Sequence, residues 1–579
     1  MDASERPPVT ETPDLHGAFP RLSAHQIEVL SAHGRRRRTQ RGEVLCRQGD
    51  QACDFFVILD GKVAVVDEFG TDERLIRVHG PGRFVGELGL LTGQAVFLTA
   101  VVREPGEVLV VPLDRLRALV TRDTQLGDVI LRAFLIRRSL LVGLGAGLRI
   151  VGSRYSPDAR RLREFACRNR LPHRWIDLED DRNAEALLRN LGVAPGETPV
   201  VIWRGREVLR NPSNAELAQL IGLRRPLDQT AGCDLVVVGA GPAGLAAAVY
   251  GASEGLVTVV VDAIAMGGQA GTSPRIENYL GFPSGISGAE LMERAVIQAR
   301  KFGARLSVPA GATALEQRDG QHVVRLEDGT ALPSRTVLIA TGARYRRPAV
   351  PRLEEFEGTS VFYAATQVEA QLCEGRPVAV AGGGNSAGQA TLFLARHAAR
   401  VHLMIRGDDL GRSMSRYLVD RIEQDPRVDV MRRTEVRELI GDGSLEALVV
   451  EDNRTGERRR IEARALFVFI GAEPHARWLG DEVALDDHGF VLTGPDAARA
   501  GRGGQREDLD RPPYQLETSR PGVFAAGDVR SGSVKRVAAA VGEGSMVVRL
   551  VHQYLEETGA PASASFVATP RPAPRRHAT

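Results

Sequence analysis

Two glycine-rich segments, each directly after a short apolar run, restrict the fold of this chain more than any other feature. Residues 239–244 read GAGPAG after Leu235–Val238, and residues 382–387 read GGGNSA after Val378–Ala381. Glycines after a strand let the backbone approach a pyrophosphate closely and place it at the N-terminus of the next helix. The pattern occurs twice, so the sequence predicts two dinucleotide-binding units built on parallel sheets.

The first of these segments has the context that the fingerprint requires. Asp262 follows the predicted strand Val257–Val261, where an acidic residue accepts hydrogen bonds from the adenosine ribose. The candidate nucleotide-binding residues of this unit are Gly239, Gly241, Pro242, Ala243, Gly244 and Asp262.

The second segment predicts a preference for NADPH over NADH. Arg406 follows the predicted strand Arg400–Ile405, at the position where NAD-preferring sites usually carry a carboxylate, and Arg412 is close behind it. Two guanidinium groups can bind a 2′-phosphate bidentately, whereas the alternative is that both arginines only solvate a loop. The other candidate residues of this unit are Gly382, Gly384, Asn385, Ser386 and Ala387.

Residues 233–556 resemble the low-molecular-weight thioredoxin reductases. The shared motifs, besides the two fingerprints, are the Gly-Gly-Gln segment 267–269, IENYLGFP at 276–283, Ala-Thr-Gly at 340–342, IGAEP at 470–474, Gly-Asp-Val at 527–529 and the pair Arg536-Val537. The resemblance implies FAD in a domain built from two separated stretches, an inserted NADPH domain and a homodimer. It adds these candidate FAD-binding residues: Gly267, Gly268, Gln269, Asn278, Thr341, Gly342, Gly527, Asp528, Arg536 and Val537.

The sequence departs from that family at its catalytic centre. Ala364 and Gln367 stand at the positions of the family's Cys-x-x-Cys, and Val368 stands at the position of its acid. Alanine and glutamine form neither a thiolate nor a disulfide, so the family's internal relay of electrons cannot operate. Cys373 is solitary and is expected to be a packed small residue, and the catalytic residues stay unassigned.

The N-terminal part predicts a small β-roll followed by helices at Leu113–Val120 and Thr124–Leu141. Its strand segment Phe55–Val66 is expected to break at Asp60-Gly61. Residues 82–100 resemble the phosphate-binding cassette of cyclic-nucleotide-binding domains, which makes Gly86, Glu87 and Thr99 candidate ligand-binding residues. Leu98 stands where that family has its phosphate-binding arginine, so either a degenerate module with another ligand or a purely structural one is favoured over cyclic-nucleotide binding.

A second small α/β unit follows and resembles glutaredoxin or thioredoxin. The expected order is a strand at Leu148–Val151, a helix to Arg168, a strand at His173–Leu178, a helix, a strand at Val200–Trp203, a hairpin and a helix. Thr198-Pro199 would be the cis-proline of that family. Ser153 and Ser156 occupy the cysteine positions, so a docking or structural role is predicted rather than redox activity.

The composition is typical of a soluble multidomain protein. The chain has 579 residues, 43% of them hydrophobic and 26% charged, and a formal net charge of +2, which argues against a nucleic-acid partner. The short basic run Arg35–Arg38 is expected to be a solvated turn. The predicted organisation is multidomain α/β and β: a disordered tail at 1–18, the β-roll with its helices at 19–145, the glutaredoxin-like domain at 146–226, the FAD domain at 227–345 and 475–560, the NADPH domain at 346–474, and a disordered tail at 561–579.

The five cysteines are odd in number and show no Cys-x-x-Cys spacing, so neither a disulfide framework nor a metal site is expected. Without an apolar signal segment or a membrane-spanning run, a cytoplasmic location and no membrane partner are predicted.

These features favour an enzyme that passes a hydride from NADPH to FAD and then reduces an external acceptor, either a small redox protein or a small molecule, without an internal dithiol. A nucleotide-like effector at the N-terminal domain would regulate it. The alternatives are a thioredoxin-disulfide reductase that uses a dithiol supplied by another protein, and a non-catalytic flavin-based redox sensor.

Overall fold

The computed structural model of the protein describes residues 10–51, 53–69, 72–86, 94–145, 147–181, 183–204, 207–224, 227, 232–273, 275–276, 278–318, 320–357, 359–363, 365, 367–500 and 511–559. Within these residues, no helix is long and apolar enough to cross a membrane.

An antiparallel roll of six strands forms the N-terminal part. Its strands are Arg35–Thr39, Val44–Cys46, Phe55–Phe69, Asp72–His79, Phe84–Val85 and Thr99–Val111, and its helices are Ala24–Ser31, Leu113–Arg122 and Thr124–Leu144. The strand Thr99–Val111 pairs with Arg35–Thr39 on one side and with Phe55–Phe69 on the other. The β-roll and its two following helices are confirmed.

Three local expectations for this part are corrected. Asp60-Gly61 is a register irregularity inside one continuous strand rather than a break, because the long partner strand spans it. The basic run Arg35–Arg38 is a paired strand, not a turn. Residues 10–18 of the expected tail pack on the roll: Thr12 and Val78 exchange two hydrogen bonds of 3.1 and 2.9 Å.

A four-stranded mixed sheet follows. Its strands are Leu148–Gly152, His173–Asp177, Val200–Trp203 and Glu207–Arg210, and its helices are Pro157–Arg168, Ala184–Asn190, the 3₁₀ turn Pro195–Glu197 and Asn214–Leu220. Leu148–Gly152 pairs in parallel with His173–Asp177 and antiparallel with Val200–Trp203. The predicted order of elements and the cis Thr198-Pro199 peptide are both observed.

A seven-stranded sheet carries the first fingerprint. Its strands are Cys233–Val238, Thr258–Val261, Arg305–Ser307, Ala312–Arg318, Gln321–Leu326, Ala331–Ile339 and Val523–Ala525. Its helices and 3₁₀ turns are Pro242–Ser253, Ala270–Thr272, Gly288–Lys301, Arg477–Leu479, Gly494–Arg499, Gly527–Val529 and Val537–Glu557. Strand Val523–Ala525 is nearly two hundred residues away along the chain yet pairs in parallel with Ala331–Ile339, so two separated stretches build one sheet.

A parallel five-stranded sheet carries the second fingerprint. Its strands are Val361–Phe362, Pro377–Ala381, Arg400–Met404, Val428–Met431 and Leu466–Val468, with the helices Leu353–Phe356, Gln367–Leu372, Asn385–Leu394 and Arg416–Gln424. The antiparallel strands Thr434–Asp442, Ser444–Asp452 and Arg458–Glu462 pack beside it, and Ala343–Tyr345 pairs with Ala472–Pro474 where the chain enters and leaves this part. Two Rossmann-type sheets are therefore present, as the sequence predicts.

Candidate functional site

Four parallel strands of the seven-stranded sheet end side by side at one edge. Val238 is in register with Val261 and Ile339, and Ile339 is in register with Ala525. The segments that follow these strands contain the Gly-Ala-Gly loop, Asp262, Thr341-Gly342 and Gly527-Asp528. Ligands of open parallel sheets bind at this edge, so four predicted segments that are distant in sequence meet at one candidate site.

The glycines of the first loop are required by close backbone approaches. A Cβ at Gly239, which has φ of 107°, would overlap the Ala340 carbonyl, and one at Gly244 would overlap the Gly239 carbonyl. Gly241 starts the helix Pro242–Ser253, and a Cβ at Gly268 would lie 2.9 Å from its Cα. The two glycine loops thus face each other with no side chain between them, which leaves backbone amides free to approach a phosphate.

Asp262 organises this loop from the neighbouring strand. Its Oδ2 accepts a hydrogen bond from Ala240 N at 2.9 Å, and its Oδ1 accepts from Ile264 N at 2.9 Å and Ala265 N at 3.1 Å. A carboxylate can accept about four hydrogen bonds, so capacity remains for a ribose hydroxyl.

The predicted flavin-ring segments are also connected. Gly267 N donates to Ala240 O at 2.7 Å, and the Gln269 side-chain amide donates to Ala343 O. Thr341 Oγ1 donates to His475 O at 2.7 Å. His475, which follows IGAEP, was not predicted as a site residue. It accepts the Thr341 hydrogen bond through its backbone carbonyl, and since every residue has one, the residue type gave no signal.

The Gly-Asp pair at 527–528 is held by a residue that the sequence analysis missed. Glu543, on the helix Val537–Glu557, accepts from Gly527 N at 2.6 Å and pairs with Arg530. Burial raises the pKa of Asp528, and Lys535 opposes this shift. A Cβ at Gly544 would overlap the Ala243 carbonyl, so this helix crosses the first fingerprint helix at backbone contact. Of three further candidates, Asn278 and Arg536 have exposed side chains, and the side chain of Val537 is half-buried.

The second fingerprint has the same geometry on its own sheet. A Cβ at Gly382 would overlap the Phe469 carbonyl, whereas one at Gly384 would meet no atom within 4 Å. Gly384 begins the helix Asn385–Leu394, so open space lies above the helix N-terminus, where a pyrophosphate would fit. Asn385 Oδ1 accepts from Ser415 N at 2.6 Å, Ser386 is exposed and Ala387 is buried beneath the loop.

Arg406 and Arg412 reach solvent beside this loop. Ala381 is in register with Met404, so the chain arrives at Arg406 two residues after the fingerprint edge of the sheet. Both side chains are exposed, and neither forms an ion pair within the part of the chain that the structure describes. Ser413, the residue after Arg412, donates its hydroxyl to Gly383 O at 2.9 Å and so ties this segment to the glycine loop. Sequence reasoning missed this serine.

A sequence signature described as pyridine nucleotide-disulphide oxidoreductase matches residues 233–544, more than half of the chain. The chain belongs to this family. A Clostridium pasteurianum protein described as "34.2 kDa protein in rubredoxin operon" is 30% identical over 322 residues, which cover 56% of this chain and 97% of that protein. Thioredoxin reductase of Treponema pallidum is 32% identical over 324 residues, again covering 56% of this chain and 97% of the relative.

Solved structures agree with this assignment. The crystal structure of Lactococcus lactis thioredoxin reductase superposes with a TM-score of 0.50 and 26% identity, covering 56% of this chain and 99% of that one. Thioredoxin reductases use FAD and NADPH, and the chain is an enzyme of the oxidoreductase class. Residues 36–123 match a signature described as cyclic nucleotide-binding domain.

The cysteines of this oxidoreductase are buried, half-buried or paired with each other. Ala364 lies outside the described residues, as do the side chains of Gln367 and Val368. Cys373 is 2% exposed in the core of the five-stranded sheet, and burial raises its pKa, as expected of a packed residue. Cys46 and Cys53 of the β-roll form one disulfide, although the sequence indicated no disulfide framework; neighbouring strand ends bring the two residues together. Among the described residues no group of three or more His, Cys, Asp or Glu could hold a metal ion.

The nucleotide cassette of the β-roll is only partly described. Glu87 lies outside the described residues, whereas Gly86 lines a cavity of the roll. Thr99 is fully buried, and its Oγ1 accepts from Gln48 N at 3.1 Å, so the pleat of its strand points it away from the described cavity wall. Leu98 lines that wall instead.

The serines of the glutaredoxin-like unit have structural partners. Ser153 Oγ donates to Glu179 at 2.6 Å, and Ser156 caps the helix Pro157–Arg168 by accepting from Ala159 N. A Cβ at Gly152 would lie 3.0 Å from the Pro199 side chain, so the cis-proline does adjoin the serine segment. The likeness to glutaredoxin stays a prediction.

Proposed function

We propose that this oxidoreductase transfers a hydride from NADPH to FAD and then reduces an external acceptor without a dithiol of its own at the flavin. The observation that carries the proposal is the meeting of the Gly-Ala-Gly loop, Asp262, the Gly267–Gln269 segment, Thr341-Gly342 and Gly527-Asp528 at one sheet edge, in a chain with no cysteine among residues 362–368.

The residues present suit FAD at the seven-stranded sheet. The loop amides around Gly241 and Gly268 suit the pyrophosphate, and Asp262 suits the adenosine ribose. The segment at Asp528, held by Glu543, suits the remainder of the dinucleotide. FAD would supply the hydride and electron chemistry, whereas the protein fixes position and polarity.

The residues at the second fingerprint suit NADPH. Open space above Gly384 suits a pyrophosphate, and the two exposed guanidinium groups of Arg406 and Arg412 suit a 2′-phosphate. The Gln269–Ala343 hydrogen bond joins the flavin-loop residues to the strand through which the chain enters the NADPH part. Motion of the NADPH part would therefore displace the flavin loop.

We further propose the domain boundaries given above, a homodimer, a cytoplasmic location and a small redox protein or small molecule as acceptor. The homodimer and the redox-protein acceptor rest on the resemblance to thioredoxin reductases.

Anaerobic stopped-flow spectroscopy tests the proposal. NADPH is expected to bleach the flavin absorbance much faster than NADH, and the reduced protein is then mixed with oxygen, a quinone and oxidised thioredoxin. Equal slow bleaching by both nucleotides would refute it. Reoxidation by thioredoxin only when a second dithiol protein is present would instead support the relay through a dithiol supplied in trans.

A further inference from the structure

A cavity of the β-roll lies apart from both dinucleotide sites. The space inside it that is open to water-sized groups is about 100 Å³, several times what one water molecule needs. The strand Asp72–His79, the segment 94–98 and the helix Thr124–Leu144 contribute to its walls. Most of the lining is apolar: Val65, Ile76, Val85, Phe97, Leu98, Leu140, Leu141 and Leu144.

Apart from Gln94, the hydrogen-bonding side chains of the described lining are basic. Arg77, His79, Arg137 and Arg138 line the cavity, and no carboxylate does so among the described residues. His79 is 2% exposed, and its Nδ1 has no hydrogen-bond partner in the described chain. Burial lowers its pKa well below the usual range, and Arg137 and other nearby guanidinium groups add to this, so the ring is neutral in a positive potential. A buried polar atom without a partner favours a ligand that satisfies it.

This wall suits a cyclic nucleotide poorly. Leu98 is 7% exposed where the resemblance to cyclic-nucleotide-binding domains places an arginine, and the side chains packed around it, Val65, Ile76 and Leu141, offer a phosphate at that position no hydrogen bond. Burying polar groups without hydrogen bonds is unfavourable. An apolar molecule with a single anionic group matches both the apolar lining and the positive potential.

The cavity is joined to the FAD part by a buried ion pair. Arg138, 8% exposed, pairs with Glu293, 9% exposed, and donates to Gln94 Oε1 at 2.9 Å. Arg170 of the four-stranded unit reaches the other carboxylate oxygen of Glu293 at 3.0 Å. One carboxylate therefore ties together the β-roll helix, the four-stranded unit and the helix Gly288–Lys301 of the FAD part.

That helix and its neighbours touch the predicted flavin loop. Met292, next to Glu293, packs so closely on Gly267 that a Cβ there would lie 2.9 Å from the Met292 Cβ. Met266, the residue before Gly267, packs against the hydrophobic core around the first fingerprint helix and also against the cluster that contains the cavity-lining Phe97. The cavity wall is thus connected to the flavin loop in two ways: through the Arg138–Glu293 ion pair and the adjacent Met292, and through the packing of Met266.

We propose that the β-roll cavity binds a small amphipathic anion, with an apolar body and one carboxylate or similar group, and that its occupancy changes flavin reduction through Arg138, Glu293 and Met266. The regulatory half rests on the proposed function, whereas the binding half stands independently of it.

Calorimetry on the FAD-loaded full chain tests binding, with octanoate, 1-octanol and 3′,5′-cyclic AMP as probes. Octanoate is expected to bind once per chain and at least tenfold more tightly than either comparator. Arg77→Met should weaken octanoate about tenfold and leave octanol unchanged, whereas the matched control Arg74→Met, exposed on the same strand, should alter neither. Ala100→Leu, which fills the cavity, should weaken both.

No octanoate binding, equal affinity for octanol, or tighter binding of cyclic AMP would each overturn the binding half. Circular dichroism of every variant shows whether a loss of octanoate binding reflects unfolding. An effect of Arg74→Met on octanoate affinity equal to that of Arg77→Met would also count against the assigned site.

Stopped-flow reduction by NADPH, with and without saturating octanoate, tests the coupling. A rate change of at least threefold is expected in the parent. Glu293→Gln should keep octanoate affinity within about threefold yet lose the response, whereas Glu290→Gln, exposed on the same helix, should retain it. A change in the apparent Kd for NADPH caused by octanoate would be matched by an equal change in octanoate affinity caused by the nucleotide, whereas a change in the rate alone requires no such match.

An unchanged rate in the parent, or a full response in Glu293→Gln, would overturn the coupling half. If NADPH fails to bleach the flavin at all, the proposed function fails, and the calorimetric result still decides the binding half.

Discussion

Replacing Arg406 and Arg412 with alanine should convert the protein from NADPH preference to indifference between NADPH and NADH. Both side chains are exposed and form no ion pair among the described residues, so their removal breaks no internal contact. Met404 is in register with Ala381, which leaves both arginines near the mouth of the second fingerprint. The change should therefore act on the 2′-phosphate alone.

The size of the effect follows from their exposure. A hydrogen bond to a charged group contributes about 1.5–3 kcal/mol, and solvent screening at exposed positions favours the lower end. At about 1.4 kcal/mol per factor of ten, each substitution should weaken NADPH about tenfold and the double variant about a hundredfold. NADH, which lacks the phosphate, should bind as before.

Stopped-flow flavin reduction at several nucleotide concentrations gives the apparent Kd for each nucleotide. Arg416→Ala is the matched control, because Arg416 is exposed on the following helix and pairs with Asp420 at 2.8 Å. A double variant that keeps the parental NADPH-to-NADH ratio would refute the assignment of these arginines, as would an equal loss in the control.

Three further results are expected. Gly268→Ala should yield a folded but colourless protein by its 450 nm absorbance, since its Cβ would lie 2.9 Å from Gly241 Cα at a φ of 55°; full flavin retention would contradict this. Asp528→Asn should raise the melting temperature of the FAD-free protein at pH 7 but not at pH 3. Burial raises the pKa of Asp528 in the folded protein, so ionisation of this carboxyl destabilises the fold as the pH rises above the unfolded value of about 3.9. An equal gain at both pH values would argue against this reasoning. Cys373→Ala should leave the steady-state rate of NADPH oxidation within about twofold of the parent, because the thiol is buried and its pKa is raised. A tenfold lower rate would indicate that Cys373 takes part in electron transfer.

The two fingerprints were predictable because their glycines obey a local rule. Gly239 and Gly382 have φ of 107° and 144° and abut a carbonyl of a neighbouring strand, a geometry that other residues rarely adopt. The cis peptide at Thr198-Pro199 was equally readable, since only X-Pro bonds take that form often.

Other features left no local signal. Glu543 and Glu293 are ordinary glutamates on long helices, and only the chain crossing around them gives them a backbone amide or two arginines as partners. Thr12 joins the β-roll through its backbone N–H and its hydroxyl, and such contacts of a single residue leave no pattern in composition, which suggested a free tail.

The sequence by itself determined the two dinucleotide folds and the lack of any Cys-x-x-Cys spacing, because glycine conformation and thiol chemistry belong to single residues. The tertiary structure decided which distant segments share an edge, that Cys46 meets Cys53, and that one carboxylate, Glu293, links the β-roll to the flavin loop. Those outcomes depend on the relative positions of elements far apart in the chain, which are set by packing between whole sheets and helices rather than by the preference of any one residue.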